Sequence, residues 1–194
     1  NSRKYKICAM KDLSVSMGRM QTLVLPFMLA SSLLIVGYGF VWGWEAVANG
    51  FNLFFELIHF IPTILLGVIA HEGLHGIGWK YAAKLNWLDL TYGVQWSSLT
   101  PYAHSKKPMQ KPAYLFGSLL PALVLGLIPY LVALIIEHDW LMMFGFVFTF
   151  SAAGDFWVIY TLRHTSKEAW VQDHPENAGC IVYENEAEFQ SGLA

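Results

Sequence analysis

NLFFELIHFIPTILLGVIAHEGLHGIGWK, residues Asn52–Lys80, decides how this chain folds. A helix needs about 20 apolar residues to cross a bilayer, at 1.5 Å rise per residue. This stretch exceeds that length, yet its last third carries His71, Glu72 and His75. Three other runs reach spanning length: Gln21–Trp42, Tyr114–Ile136 and Trp140–Leu162. The chain of 194 residues is 55% hydrophobic and 13% charged, with a mean hydropathy of +0.42. A water-soluble domain carries about twice that share of charge. The expected fold class is an all-α membrane protein with four transmembrane helices. Residues 21–162 form one membrane domain, between an N-terminal segment 1–20 and a tail 163–194.

The basic residues fix an expected orientation. Arg3, Lys4, Lys6, Lys11 and Arg19 precede the first run. Lys80, Lys84, Lys106, Lys107 and Lys111 fall between the second and third, and Arg163 and Lys167 follow the fourth. The connections 43–51 and 137–139 hold only Glu45, Glu137 and Asp139. The positive-inside rule then places both termini and the central loop in the cytoplasm. The first run is longer than a signal-peptide core and lacks a small-residue cleavage site, so it reads as a retained helix. A net charge of −2 gives no footprint for nucleic acid. Cys8 and Cys180 fall on the cytoplasmic side and read as free thiols.

In the central loop, Leu88, Leu90, Tyr92, Val94 and Trp96 alternate with Asp89, Thr91, Gly93 and Gln95. That period of two predicts a strand at the membrane surface, turning through Ser97 and Ser98 into a shorter strand near Leu99–His104. The result is a small cytoplasmic β hairpin between helices 2 and 3. It either caps the bundle or contacts a ligand. Gly179–Tyr183 predicts one more short strand in an otherwise mobile tail.

His71-Glu72-Gly73-Leu74-His75 is an H-E-x-x-H pattern on a helix. Residues four apart share a face, so both imidazoles can reach one tetrahedral zinc, with Glu72 placed to handle the proton of a water. Such a pattern arises by chance in roughly one chain in a hundred. Two histidines and a glutamate inside a membrane helix are unfavourable unless they serve a site. The alternative is a polar stripe facing other helices.

A catalytic zinc takes three protein ligands and leaves one position open. Asp155 is the single acid in the fourth run. Counted back from Lys80 and Arg163, His71, His75 and Asp155 all lie about 7 to 14 Å from the cytoplasmic end. Ser151 and Ala152 share the face of Asp155, and Gly73 and Gly76 flank the histidines, which favours close helix approach. The alternative pairs Asp155 with Arg163 or a serine. His104 is a candidate second-layer or substrate contact. His59 lies about 18 Å from His71 along the helix and suits packing with Glu56. His138 falls on the outer face, and His164 and His174 read as solvated.

An H-E-x-x-H in a membrane helix, with an Asp from a later helix, resembles the site-2 protease class of intramembrane metalloproteases. More closely, the chain resembles a small family of bacterial membrane proteins described as zincin peptidases (domain of unknown function 3267). The resemblance runs from about Phe54 to Leu162. It rests on His71-Glu72-Gly73-Leu74-His75, on Pro101 and His104, on Pro121 and on Gly154-Asp155. Asp173-His174-Pro175 also looks familial. The resemblance implies a zinc peptidase of the cell membrane, with His71, His75 and Asp155 as ligands and Glu72 as acid/base. In the site-2 class the Asp usually stands before a Gly, whereas here Gly154 precedes Asp155.

A membrane-protein or peptide substrate is expected to pair with the Leu88–Trp96 strand, contacting Leu90, Tyr92 and Val94. Two rivals stay open on the residues alone. One is a metal or proton transporter using the His and Asp relay, and the other is a non-catalytic membrane-binding relative.

Overall fold

The computed structural model describes residues 10–96, 100–184 and 186. Cys8 and the turn at Ser97 and Ser98 lie outside them. In chain order the elements are β1 (Lys11–Asp12), α1 (Met17–Leu23), α2 (Leu25–Trp42), α3 (Trp44–Phe55), α4 (Leu57–Ala83), β2 (Leu90–Gln95), β3 (Thr100–Ser105), β4 (Met109–Gln110), α5 (Lys111–Pro121), α6 (Ile128–Ile136), α7 (Asp139–Ser151), α8 (Ala153–Thr161), β5 (Trp170–Asp173) and β6 (Cys180–Tyr183).

Three helical stretches are long and apolar enough to cross a membrane: Leu25–Trp42, Leu57–Ala83 and Lys111–Ile136. A fourth qualifies if α7 and the stretch Ala153–His164, bent by 42°, count as one. Leu29, Leu33, Phe40, Leu66, Ile69 and Ile135 on these helices are each more than 60% exposed. An apolar surface of that extent needs an apolar neighbour.

Each expected run is adjusted by a local cause. The first starts at Leu25, not Gln21, because Pro26 sits in the opening turn, where its missing N–H leaves no helical bond unmade. The second is broken at Glu56 (φ −58°, ψ 129°), so 52–55 belong to α3. α3 is held elsewhere: Asn49 donates to Asp139 at 2.7 Å, and Gly50 lies against the Asp139 carbonyl. It therefore packs on α7 instead of extending α4. Lys84, in the left-handed conformation, ends α4.

The third run is continuous from Lys111 through a π turn at Ala122–Leu127 that follows Pro121. Proline lacks the N–H that an α ladder requires, and a π turn absorbs the mismatch. The fourth run bends at Ala152. The Ser151 hydroxyl donates to the Phe148 carbonyl at 3.0 Å and the Thr149 hydroxyl to Gly145 at 2.8 Å, and such back-bonding bends helices.

The chain is mostly helical, but it is not all-α apart from one hairpin. β2 and β3 pair antiparallel from Leu90↔Ser105 to Gln95↔Thr100, as expected. A second sheet, ordered β1-β6-β5-β4, was not foreseen. β6 is the expected tail strand, and it pairs with β1 on one side and β5 on the other. This sheet joins residues from before α2, between α4 and α5, and after α8. The tail through Tyr183 is thus built into the fold, and Trp79, Met109, Tyr114, Leu162, Val171 and Val182 share one core. Cys180 is free and buried within it, and burial pushes its thiol up to about 12.

α4 and α5 pack through glycine. A Cβ on Gly78 would meet the Gly117 backbone at 2.5 Å, whereas one on Gly73 would meet open space. Gly78→Val is expected to destabilise the protein by about 1–3 kcal/mol through overpacking, and Gly73→Ala to leave it unchanged or slightly firmer. Thermal unfolding in detergent checks this. Equal midpoints for the two variants would contradict the contact.

Candidate metal centre

α4 carries His71 and His75 one turn apart, with ring centroids 5.0 Å apart and nearly perpendicular planes. Asp155 stands in the first turn of α8 and reaches both. His71 Nε2 lies 3.3 Å from Asp155 Oδ2, and His75 Nε2 lies 3.3 Å from Asp155 Oδ1. These three residues form the metal-capable group among the described residues, with ligand atoms within 4.8 Å of one another. Neither glycine expected to admit α8 does so, and Gly73 faces open space. Gly76 receives Leu90 and Tyr92 of the hairpin, and it is Gly67 that receives the Phe148 ring of α7.

The donor set fits zinc: two imidazoles and a carboxylate are ligands that it takes, and their ligand atoms lie within 4.8 Å of one another. The hydrogen bonding fits as well. His75 Nδ1 lies 3.0 Å from the Gly117 carbonyl, which can only accept, so Nδ1 carries the proton. Nε2 then faces Asp155 Oδ1, either as an acceptor that a cation bridges to the carboxylate or as the second donor of an imidazolium. A histidine whose second nitrogen donates to a backbone carbonyl is the usual arrangement at a metal.

His75 is only 5% exposed. Its ring stacks on Trp79 (5.4 Å, 16°), and Trp79 stacks on Tyr114 of α5 (5.8 Å, 20°). The Trp79 indole also donates to the Tyr114 carbonyl at 3.2 Å. His71, Glu72, His75 and Asp155 line one cavity of about 310 Å³, together with Thr100–Ala103 of β3, Tyr114 and Asp173. The Ala103 backbone N–H faces the Glu72 carboxylate.

A family model described as "Putative zincin peptidase" matches residues 64–170, more than half of the chain. The chain belongs to this family. No curated protein and no solved structure matches it. Zincin peptidases are metallopeptidases, and the family implies zinc for the site that His71, His75 and Asp155 form. The matched region spans most of α4, the β2–β3 hairpin and α5–α8, and it stops just short of Asp173.

Other expected contacts fall elsewhere. Leu90, Tyr92 and Val94 do not line the zincin cavity. Leu90 is buried against Trp79, Tyr92 rests on Gly76, and Val94 is exposed. The hairpin leans so that β3, not β2, forms the wall; Thr100–Ala103 line the cavity and His104, the next residue, does not. His104 still lies close enough to act electrostatically on Asp173. His59 contacts Glu56 and the Leu53 carbonyl at the α3–α4 break, and His138 caps α7. His164 is exposed, but His174 is not solvated: its Nδ1 accepts from the Glu176 and Asn177 N–H groups and closes the β5–β6 turn.

Sequence reasoning missed Trp79, Tyr114 and Asp173. Their aromatic and acidic character offered no spacing rule, although Asp173-His174-Pro175 stood out as familial. Asp173 is half-buried, and its loss of water pushes the carboxyl up, while the Ser105 N–H and the Tyr114 hydroxyl oppose that rise.

Purified protein is expected to hold one zinc per chain. His71→Ala or His75→Ala abolishes retention, and Asp155→Ala weakens it by at least about tenfold. Elemental analysis after dialysis against a chelator measures this, and zinc retained by His75→Ala would exclude the site.

Proposed function

We propose that the chain is a membrane-spanning zinc peptidase that hydrolyses a peptide bond of a membrane protein or peptide near the cytoplasmic face. The observation that carries this reading is one cavity holding the His71, His75 and Asp155 donors, the Glu72 carboxylate and an edge strand.

Four spans account for the exposed apolar helices. The basic residues lie before α2, from the last turn of α4 to the first residue of α5, and after α8, and the β1-β6-β5-β4 sheet draws on the same end of those helices. Segments sharing a sheet lie on one side of the bilayer, which requires an even number of crossings between them. With the positive-inside rule, that side is cytoplasmic, and the protein is a multi-pass protein of the cell membrane. The segments 1–20 and 163–194 belong to the cytoplasmic side of a single membrane domain.

His71, His75 and Asp155 would hold the ion and leave one position open. Zinc, when bound there, supplies a Lewis acid that polarises a carbonyl and acidifies a water. Glu72 takes the proton of the attacking water as the C–O bond forms, and passes it to the leaving nitrogen as the C–N bond breaks. Helices α4, α5, α7 and α8 surround the cavity with apolar side chains, which strengthens these electrostatic interactions by excluding water.

A transmembrane helix satisfies its own backbone, so a substrate segment must unwind before attack. β3 offers replacement bonds. Ala103 and Ser105 turn their N–H groups away from β2, towards Glu72 and Asp173. In an antiparallel pair, residues two apart point their backbone groups the same way. Pro101 and Ala103 therefore present their carbonyls along the cavity side, where an extended peptide adds as a third strand. The pairing edge is β3 and not the Leu88–Trp96 segment.

Glu72→Gln is expected to keep zinc and lose cleavage by a factor of about 10²–10⁴, the usual contribution of a general base. The assay compares cut sites generated by wild type and variant in a mixture of detergent-solubilised single-span membrane peptides, read by mass spectrometry. Ion flux through proteoliposomes that survives in Glu72→Gln would favour a transporter. Zinc binding with no cleavage in wild type would favour a non-catalytic relative.

Ala103→Pro removes the outward N–H that faces Glu72 and leaves the β2–β3 ladder whole. It is expected to reduce cleavage at least about tenfold with zinc content unchanged, by freeing the Glu72 carboxylate. Unaltered cleavage would rule out a part for this N–H in placing Glu72.

A further inference from the structure

Asp173 occupies a position that metal chemistry alone does not explain. It ends β5, paired with Cys180 of β6, and it lines the same cavity as the histidines. Its two oxygens go to different walls. Oδ2 accepts from the Ser105 N–H of β3 at 2.7 Å, and Oδ1 accepts from the Tyr114 hydroxyl of α5 at 2.6 Å.

From Tyr114 the contacts run without a gap to the histidine. The phenol ring stacks on Trp79, and Trp79 stacks on His75. A Cβ on Gly117 would collide with the Trp79 indole, so the indole has no room to slide towards α5. The carbonyl of Gly117 holds His75 Nδ1. Moving Tyr114 therefore moves the stack that orients His75. At its other end the chain of contacts is tied to β5, whose Val171 is fully buried between Met109 and Val182.

We propose that Asp173 is a positioning residue that joins the edge strand β3 to the metal centre, so that the β5–β6 hairpin and the bound ion stabilise each other. The proposal rests on the zinc reading above and is independent of whether a peptide is cleaved. A carboxylate that merely satisfied two buried donors would affect stability alone. A joint affects the ion as well, and the ion affects the hairpin by the same factor, because coupling between sites is reciprocal.

The test uses the purified full chain in detergent, with Zn²⁺ affinity measured by competition with a chelator and the visible spectrum recorded with Co²⁺ in its place. Tyr114→Phe keeps the ring stack and loses the bond to Asp173. It is expected to weaken Zn²⁺ about tenfold, the lower range for outer partners of a metal site, and to alter the Co²⁺ bands. Asp173→Ala does the same or more. Asp173→Asn recovers most of the affinity, because its carboxamide accepts from Ser105 and donates to the Tyr114 oxygen. Phe54→Leu, in the separate core that holds Tyr38 and Met142, lowers the unfolding midpoint and leaves affinity and spectrum alone. In the reciprocal experiment, Zn²⁺ slows amide hydrogen exchange in β5 and β6 of the wild type and has less effect in Tyr114→Phe.

Wild-type affinity and spectrum in Tyr114→Phe, or a loss in Phe54→Leu as large as in Asp173→Ala, overturns the proposal. A wild-type chain that binds neither ion overturns the zinc reading itself and takes this inference with it.

Discussion

Two imidazoles and a carboxylate meet inside a set of apolar helices, and that meeting constrains the rest of the molecule. A polar group taken from water into such surroundings is unfavourable unless it is paired. Here each partner lies on a different helix from the histidines: Asp155 on α8, and the Gly117 carbonyl on α5. The three helices can satisfy one another only if they approach closely. Gly78 against Gly117 supplies that approach between α4 and α5. The bend at Ala152 sets Asp155 in the first turn of a new helix, where its carboxylate reaches both histidines.

The sheets complete what the helices leave open. β3 supplies one wall of the cavity and the N–H that faces Glu72, while β5 supplies Asp173. Both belong to segments at one end of the helices, and Asp173 bonds them together through Ser105. The proposed chemistry is thus divided by physical character. Groups that hold a cation stand on helices within an apolar frame, and groups suited to an extended peptide stand on strands whose backbone is available.

Much of the centre was legible before any coordinates. His71 and His75 declare themselves because a spacing of four has one meaning on a helix, and Asp155 because it is the single acid in its run. The β2–β3 hairpin was legible from its period of two. The choice of wall was not: alternation identifies the two faces of a strand, but not which edge leans towards a helix, and it is Pro101 and Ala103 of β3 that line the cavity. The β1-β6-β5-β4 sheet was largely invisible, since strands of two to four residues are too short to show a period. The break at Glu56 goes with a contact to another segment, Asn49 with Asp139, and the bend at Ala152 with a bond of Ser151 inside its own helix, and hydropathy registers neither.

X-ray absorption at the zinc edge of the purified protein tests the central claim most directly. The account predicts a first shell of nitrogen and oxygen only, at about 2.0–2.1 Å, with outer scattering from two imidazoles. A sulfur neighbour, a single imidazole, or no bound zinc would contradict it.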